Sequence, residues 1–187
     1  MQNNESLPVL DDAYMQKLNE VINRTFPGLA MFVRDVNLSI EIANKYIPDL
    51  IIMERAYVDA SYRVMGMITS HRFAILSNSM ANIEQFEHGT NWGLCVSQRG
   101  SYFKVLSVHE YSGKTQILLL HLPTGDDWKV FLNTKISIEE EIIASSIERF
   151  ENKCNLEPIP ELCTEEWLKR CSFPIGMDDS GNLFELE

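Results

Sequence analysis

The sequence has no long apolar run. Its densest stretches, Leu50–Met53 and Ile117–Leu120, are four residues each, whereas a membrane-crossing helix needs about 20. The opening residues, MQNNESLPVL, carry no positive charge ahead of an apolar stretch, so no secretory signal is expected. No lipidation box stands at either end. Cysteine is scarce as well. Cys95, Cys154, Cys163 and Cys171 are scattered, with no C-x-x-C, which excludes a dense disulfide framework and points to reduced thiols in a cytoplasmic protein. The N-x-S/T matches at Asn4, Asn23 and Asn37 then carry no weight.

Basic residues are in deficit, 16 Lys and Arg against 27 Asp and Glu for a net charge of −11. A surface of that sign repels phosphate backbones and anionic membranes, so neither nucleic acid nor membrane is expected as a partner. The charge is uneven. Residues 134–187 hold 13 acids and 5 bases, whereas 51–133 are balanced at 7 and 7. A basic protein partner would be steered to such an end; the plain alternative is that the acids only keep the chain soluble.

Named catalytic motifs are missing too. There is no G-x-G-x-x-G, no G-x-x-x-x-G-K and no G-x-S-x-G. His109–Glu110 opens an H-E-x-x-H box, but Gly113 stands where the second His belongs. Cys154, Cys163 and Cys171 lie nine and eight residues apart, which matches no zinc knuckle. The run Asp178–Asn182 lacks the closing Glu of a Ca²⁺ loop. No metal and no cofactor are expected.

What is present is an ordinary globular composition, 45% hydrophobic and 23% charged over 187 residues. That length supports one domain, 1–187, with 1–9 as a loose lead-in, and can bury roughly 70% of the unfolded chain's surface. Asp11 or Asp12 caps a helix running to about Phe26, with Tyr14, Leu18, Val21, Ile22 and Thr25 on one face. Residues 36–46 read either as a strand (Val36, Leu38, Ile40, Ile42) or as a short helix halted by Pro48. Met53, Tyr57, Ala60, Val64 and Ile68 recur at helical spacing and predict a helix of about four turns. Arg72–Ser77 reads as a strand, and 78–87 as a short helix or loop.

Residues 92–122 carry the strongest pattern. Three strand-like runs are joined by Arg99–Gly100 and Ser112–Gly113, and Gly at the second position of a two-residue loop is a hairpin signal. The fold class expected is therefore α+β, an antiparallel meander over about 92–122 with flanking strands, packed with N-terminal, middle and C-terminal helices. Ser137 and Glu140 form a capping box for a helix whose apolar side is Ile138, Ile142, Ile147, Phe150 and Cys154. Thr164 caps a second, EEWLKRC. The last residues read as a turn between two short strands.

If both loops hold two residues, Cys95 faces Lys104 and Lys104 faces His121. This row is the first place to look for catalysis: a Lys lowers a neighbouring thiol's pKa and a His can act as base. Cys95 and His121 would sit two strands apart, about 9.6 Å, and the plain alternative is a buried Cys beside a snorkelling Lys.

The segment Phe173–Leu186, with Pro174-Ile175-Gly176, Asp178 and Gly181-Asn182, resembles one motif of the SUKH superfamily. That resemblance implies an immunity protein that binds and neutralises a toxin, often a nuclease. The leading expectation is thus a non-catalytic acidic protein-binding module, an immunity-type inhibitor of a basic partner, using Glu139, Glu140, Glu148, Glu165, Asp178 and Asp179. The second is a small cytosolic enzyme of unrecognised type using Cys95, Lys104 and His121. A third is an oligomer-forming structural protein.

Overall fold

The structure is a computed structural model and describes residues 12–132 and 134–187. The expected loose lead-in, 1–9, lies outside them. Among the described residues no helix is long and apolar enough to cross a membrane.

Helix α1 (Asp12–Thr25) turns Leu18, Val21 and Ile22 toward the core and ends at Pro27–Gly28. Strand β1 (Ala30–Val36) follows at once, and the short α2 (Ile40–Ala43) is capped by Ser39, whose hydroxyl accepts from the Ile42 N–H at 3.3 Å. The strand thus lies earlier than Val36–Ile42, and the helical reading holds for a single turn. The four-turn helix after Pro48 does not form. In its place stand β2 (Ile51–Glu54) and β3 (Asp59–Ser61). Ile51 and Met53 pack on one face of the sheet and Ile52 on the other, so an alternating arrangement buries the whole LIIM run. Tyr57 and Ile68, assigned to a helical stripe, are 62% and 58% exposed.

Strand β4 (His71–Ser77) is followed by the two-residue β5 (Ala81–Asn82), then β6 (Leu94–Val96), β7 (Ser101–Tyr111) and β8 (Lys114–His121). All eight strands form one sheet in the order β2-β7-β8-β4-β1-β3-β6-β5. Every pairing is antiparallel except β4 with β8. With α3 (Ile138–Lys153) and α4 (Glu165–Arg170) packed against it, the architecture is α+β, as expected.

The hairpin at Ser112–Gly113 forms as read, with His109 opposite Gln116. The meander does not. Residues 97–100 link β6 to β7, yet β6 pairs with β3 and β5, while β7 pairs with β2 and β8. Four strands lie between β6 and β7 in the sheet, a distance of about 24 Å in a flat sheet. The link reaches about 18 Å at most. The same holds for the link from β2 to β3. The sheet is therefore curled until its two ends meet, with the Gly100 N–H bonded to the Glu54 carbonyl and the Ser97 N–H to that of Val58.

A bulge at Leu106 shifts the β7–β8 register, so Lys104 faces Leu120 and Phe103 faces His121. The shift re-sorts the faces. Phe103 and Val105 pack with Ile117 and Leu119 in one core, while Leu118 and Leu120 join Tyr102 and Leu106 in another beneath α1, α3 and the 3₁₀ segment Gly125–Leu132. The first core is covered by Leu38 and Ile42 around α2 and by Ile175 and Met177 of the C-terminal segment. That segment makes a single bridge, Met177 to Leu183, where two short strands were expected.

Thr164 caps α4 as read, accepting from the Trp167 N–H at 3.3 Å. Ser137 stands at the N-cap of α3 without a side-chain cap bond, so the capping box is not made. All four cysteines are free thiols.

Candidate active-site cleft

The curled sheet places the expected row of catalytic residues apart. Cys95 sits on β6, opposite Ala60 and Asn82, in the first core. Burial pushes its thiol up to about 11, and the nearby carboxylates of Glu84 and Glu87 push the same way. Lys104 points to the other face, where both oxygens of Glu139 accept from its ammonium at 2.9 and 3.0 Å and the Thr134 carbonyl at 3.2 Å. His121 stacks on Phe103 with ring centroids 4.9 Å apart, and burial holds it down to about 4. A thiol with a raised pKa, a lysine paired to a carboxylate and a histidine bonded to serine do not make a nucleophile and its base. The row fails because it needed a β6–β7 hairpin and an unbulged β7.

The six acids proposed for a basic partner are also not one surface. Glu139, in the first turn of α3, is buried against Lys104, and burial raises its pKa, which that lysine only partly offsets. Asp178 accepts from the backbone of Ser180 and Asn182 and from the Asn182 amide at 2.8–3.0 Å, so it holds its own turn. Glu140, Glu148, Glu165 and Asp179 are exposed. Among the described residues no group of His, Cys, Asp and Glu is arranged to hold a metal ion.

A cleft of about 600 Å³ opens at the seam where the ends of the sheet meet. The link from β2 to β3 forms one wall and the C-terminal segment the other. Arg34 reaches it from β1. In the strand AMFVRDV it shares a face with Phe32 and Val36, and it is buried, at 6% exposure. Its Nη1 donates to the Asp59 carbonyl at 3.2 Å and its Nη2 to the Phe173 carbonyl at 3.0 Å, so one guanidinium ties both walls. Its Nε is buried with no hydrogen-bond partner. Leaving such a donor unpaired costs about 1–3 kcal/mol, a cost that folding alone does not require.

The rest of the cleft is arranged around that group. The Arg170 Nε meets the Asp59 carboxylate at 2.8 Å, and its guanidinium lies 5.7 Å from the centre of a Trp92 ring. Tyr57 and Phe173 stand at the rim with 62% and 57% of their surface exposed. The Glu54 carboxylate accepts from the Ala56 and Gly176 N–H groups at 2.8 and 2.7 Å, and the Tyr46 hydroxyl donates to the Ile175 carbonyl at 2.7 Å. Gly176 has φ +81, and a Cβ there would stand 2.8 Å from the Ile52 Cβ. No larger residue fits, and the wall can approach the sheet only through this glycine. Sequence reasoning missed Arg34, Tyr57, Asp59, Arg170 and Phe173. The available signal was a charged residue inside an otherwise apolar strand.

No protein-family model matches the sequence, and no curated protein does. Solved structures do share part of the fold. The type III effector XopAI of Xanthomonas axonopodis pv. citri matches with a TM-score of 0.46 at 13% identity, over 54% of this chain and 44% of its own. The ADP-ribosyltransferase HopU1 of Pseudomonas syringae pv. tomato gives 0.46 at 14%, over 50% and 45%. C3stau2 of S. aureus, solved with NAD, gives 0.44 at 12%, over 62% and 74%. The chain thus spans less than half the length of the first two. The non-catalytic, immunity-type reading is corrected on this finding, because these are an effector, an enzyme and a protein solved with NAD. The expectation that the chain is not an enzyme is withdrawn with it. Likeness at this level assigns no residue here a role, and nothing in it bears on the SUKH resemblance of 173–186.

Proposed function

We propose that the protein is an enzyme acting on a nucleotide-class ligand bound in the seam cleft. The observation that carries this reading is Arg34, a buried guanidinium that bonds only neutral carbonyls, lining a cleft whose rim holds two exposed aromatic rings. Guanidinium groups meet phosphate through charge-assisted hydrogen bonds. Exposed rings supply stacking faces for a base, worth about 1–3 kcal/mol each by substitution. A ligand with both chemistries is a nucleotide.

Arg34 and Arg170 would meet the phosphates, and Tyr57 and Phe173 the ring. Among the cleft's carboxylates, Glu54 is engaged by two backbone N–H groups, Asp178 by its own turn, and Asp179 stands exposed on that turn. Asp59 is held by Arg170, which is itself partly exposed, and stands beside Arg34. It is the carboxylate placed to take a proton or to face positive charge that develops on the ligand.

Calorimetric titration with NAD, ADP-ribose and ATP tests the reading, followed by chromatography of each ligand after incubation with the protein. Binding of at least one, weakened about tenfold or more by Arg34→Lys, and turnover abolished by Asp59→Asn are expected. Absence of binding by all three, or affinity unchanged in Arg34→Lys, would overturn it.

A further inference from the structure

A second cavity, about 230 Å³, opens at the end of α1 beside the ends of β4 and β8. His121, Ser79, Thr124 and Arg24 line it. The hydrogen bonds around Ser77 favour one tautomer of His121. The Ser77 Oγ accepts from the N–H groups of Ser79 at 3.0 Å and Met80 at 3.2 Å, which uses both of its lone pairs. Its proton is left for the nearer acceptor, His121 Nδ1 at 2.8 Å, over the Ser79 Oγ at 3.4 Å. Nδ1 is then the unprotonated nitrogen, and in the neutral ring the proton sits on Nε2.

Nε2 makes no hydrogen bond among the described residues, and it is not one of the buried polar atoms left without a partner. It is accordingly open to the cavity that His121 lines. Two other uses of the ring are excluded. A metal needs an unprotonated nitrogen, and Nε2 carries hydrogen. A serine nucleophile needs a base, and the Nδ1 lone pair that would take the Ser79 proton from 3.3 Å is already occupied by Ser77. What the ring offers the cavity is a neutral N–H donor.

The charge beside it suits an acceptor. Arg24, which lines the cavity, shares the single Asp127 carboxylate with Lys17, so Asp127 only partly neutralises it. In a chain of net charge −11 such a spot selects for an anion.

We propose that this cavity is a second binding site, for a small oxyanion, a carboxylate or phosphate group held between the His121 Nε2–H and the Arg24 guanidinium. It is separate from the seam cleft. Ser77 pairs with Ala30, four residues along β1 from Arg34, about 13 Å.

Nuclear magnetic resonance of the ¹⁵N-labelled histidine rings tests it, with inorganic phosphate and acetate titrated at constant ionic strength against chloride. The expected results are the Nε2–H tautomer for His121, a saturable shift of its ring signals with at least one anion, and about tenfold or greater weakening in Arg24→Ala. Arg24 is mostly exposed, so this variant folds. An Nδ1–H tautomer, no saturable shift with either anion, or a shift unchanged in Arg24→Ala overturns the proposal, the last outcome marking the effect as general screening. His121→Phe, which keeps the stack on Phe103, is expected to abolish the rise in melting temperature with phosphate. If it does not fold, the tautomer and the Arg24→Ala titration still decide.

Discussion

Among the described residues three cations are buried, Arg34, Arg72 and Lys104; Arg72 is paired with Asp35, and the other two are treated differently. Lys104, under α3, is 1% exposed and surrounded by acceptors: both oxygens of Glu139, the Thr134 carbonyl and, at 3.5 Å, the Asp49 carboxylate. Arg34, at the seam, is 6% exposed, bonds two carbonyls and keeps its Nε unpaired. A buried charge with a complete partner set serves the fold, since removing either member strands the other. A buried charge held only by neutral carbonyls beside a cleft keeps a charge that an anionic ligand can balance. The Lys104 site is thus closed by its own partners, and the Arg34 site is open on one side to the seam cleft.

The largest expected effect lies at the closed site. Lys104→Met strands Glu139 and should cost about 3–5 kcal/mol in urea unfolding, and adding Glu139→Leu should recover most of it. Arg34→Met removes no carboxylate partner and should cost less. Equal losses would break the comparison.

Next is the acid limb of stability. His121 is held down to about 4 against an ordinary 6.5, so between those values the unfolded chain binds the extra proton. Its contribution is complete above about 6.5 and lost as the pH falls through 4. The loss should amount to about 2–3 kcal/mol. Urea unfolding of the wild type and of His121→Phe at pH 7 and 4.5 should show a flatter dependence in the variant.

Gly176→Ala forces a Cβ against Ile52 at positive φ, and should cost about 1–3 kcal/mol. It should also raise protease sensitivity near 173–184 while leaving hydrogen exchange of β7 and β8 unchanged. The smallest effect is at Cys95. With its thiol pushed up to about 11, it should react with iodoacetamide at pH 7.5 far more slowly than in urea, and Cys95→Ala should leave turnover intact.

Much of this was legible from local pattern. Helices α1 and α4, strand β4 and the β7–β8 turn follow from capping residues, apolar period and a Gly at a hairpin position, all signals within a dozen residues. The bulge at Leu106 was not legible, because Val105 and Leu106 are both apolar and either register buries them. Its effect was large: it moved Lys104 away from His121 and re-sorted both cores. The reading of residues 48–68 as a helix failed for a related reason. Met53, Ala60 and Val64 are all buried, as a helical stripe requires, but by three separate sheet and loop contacts.

The candidate site was the least legible part. Arg34, Asp59, Tyr57, Arg170 and Phe173 are spread over 140 residues, and what unites them is the curl of the sheet. By itself the sequence determined the elements whose causes are local: the Thr164 cap, the Ser112–Gly113 turn, the apolar runs of β4 and β8, and the acidity of the last third. Only the tertiary structure decided which strands meet. A strand's hydrogen-bonding edge is the same for every partner, so pairing is chosen by the packing of both faces and the reach of short links. That choice put Lys104 beneath a helix and Arg34 beside a cleft.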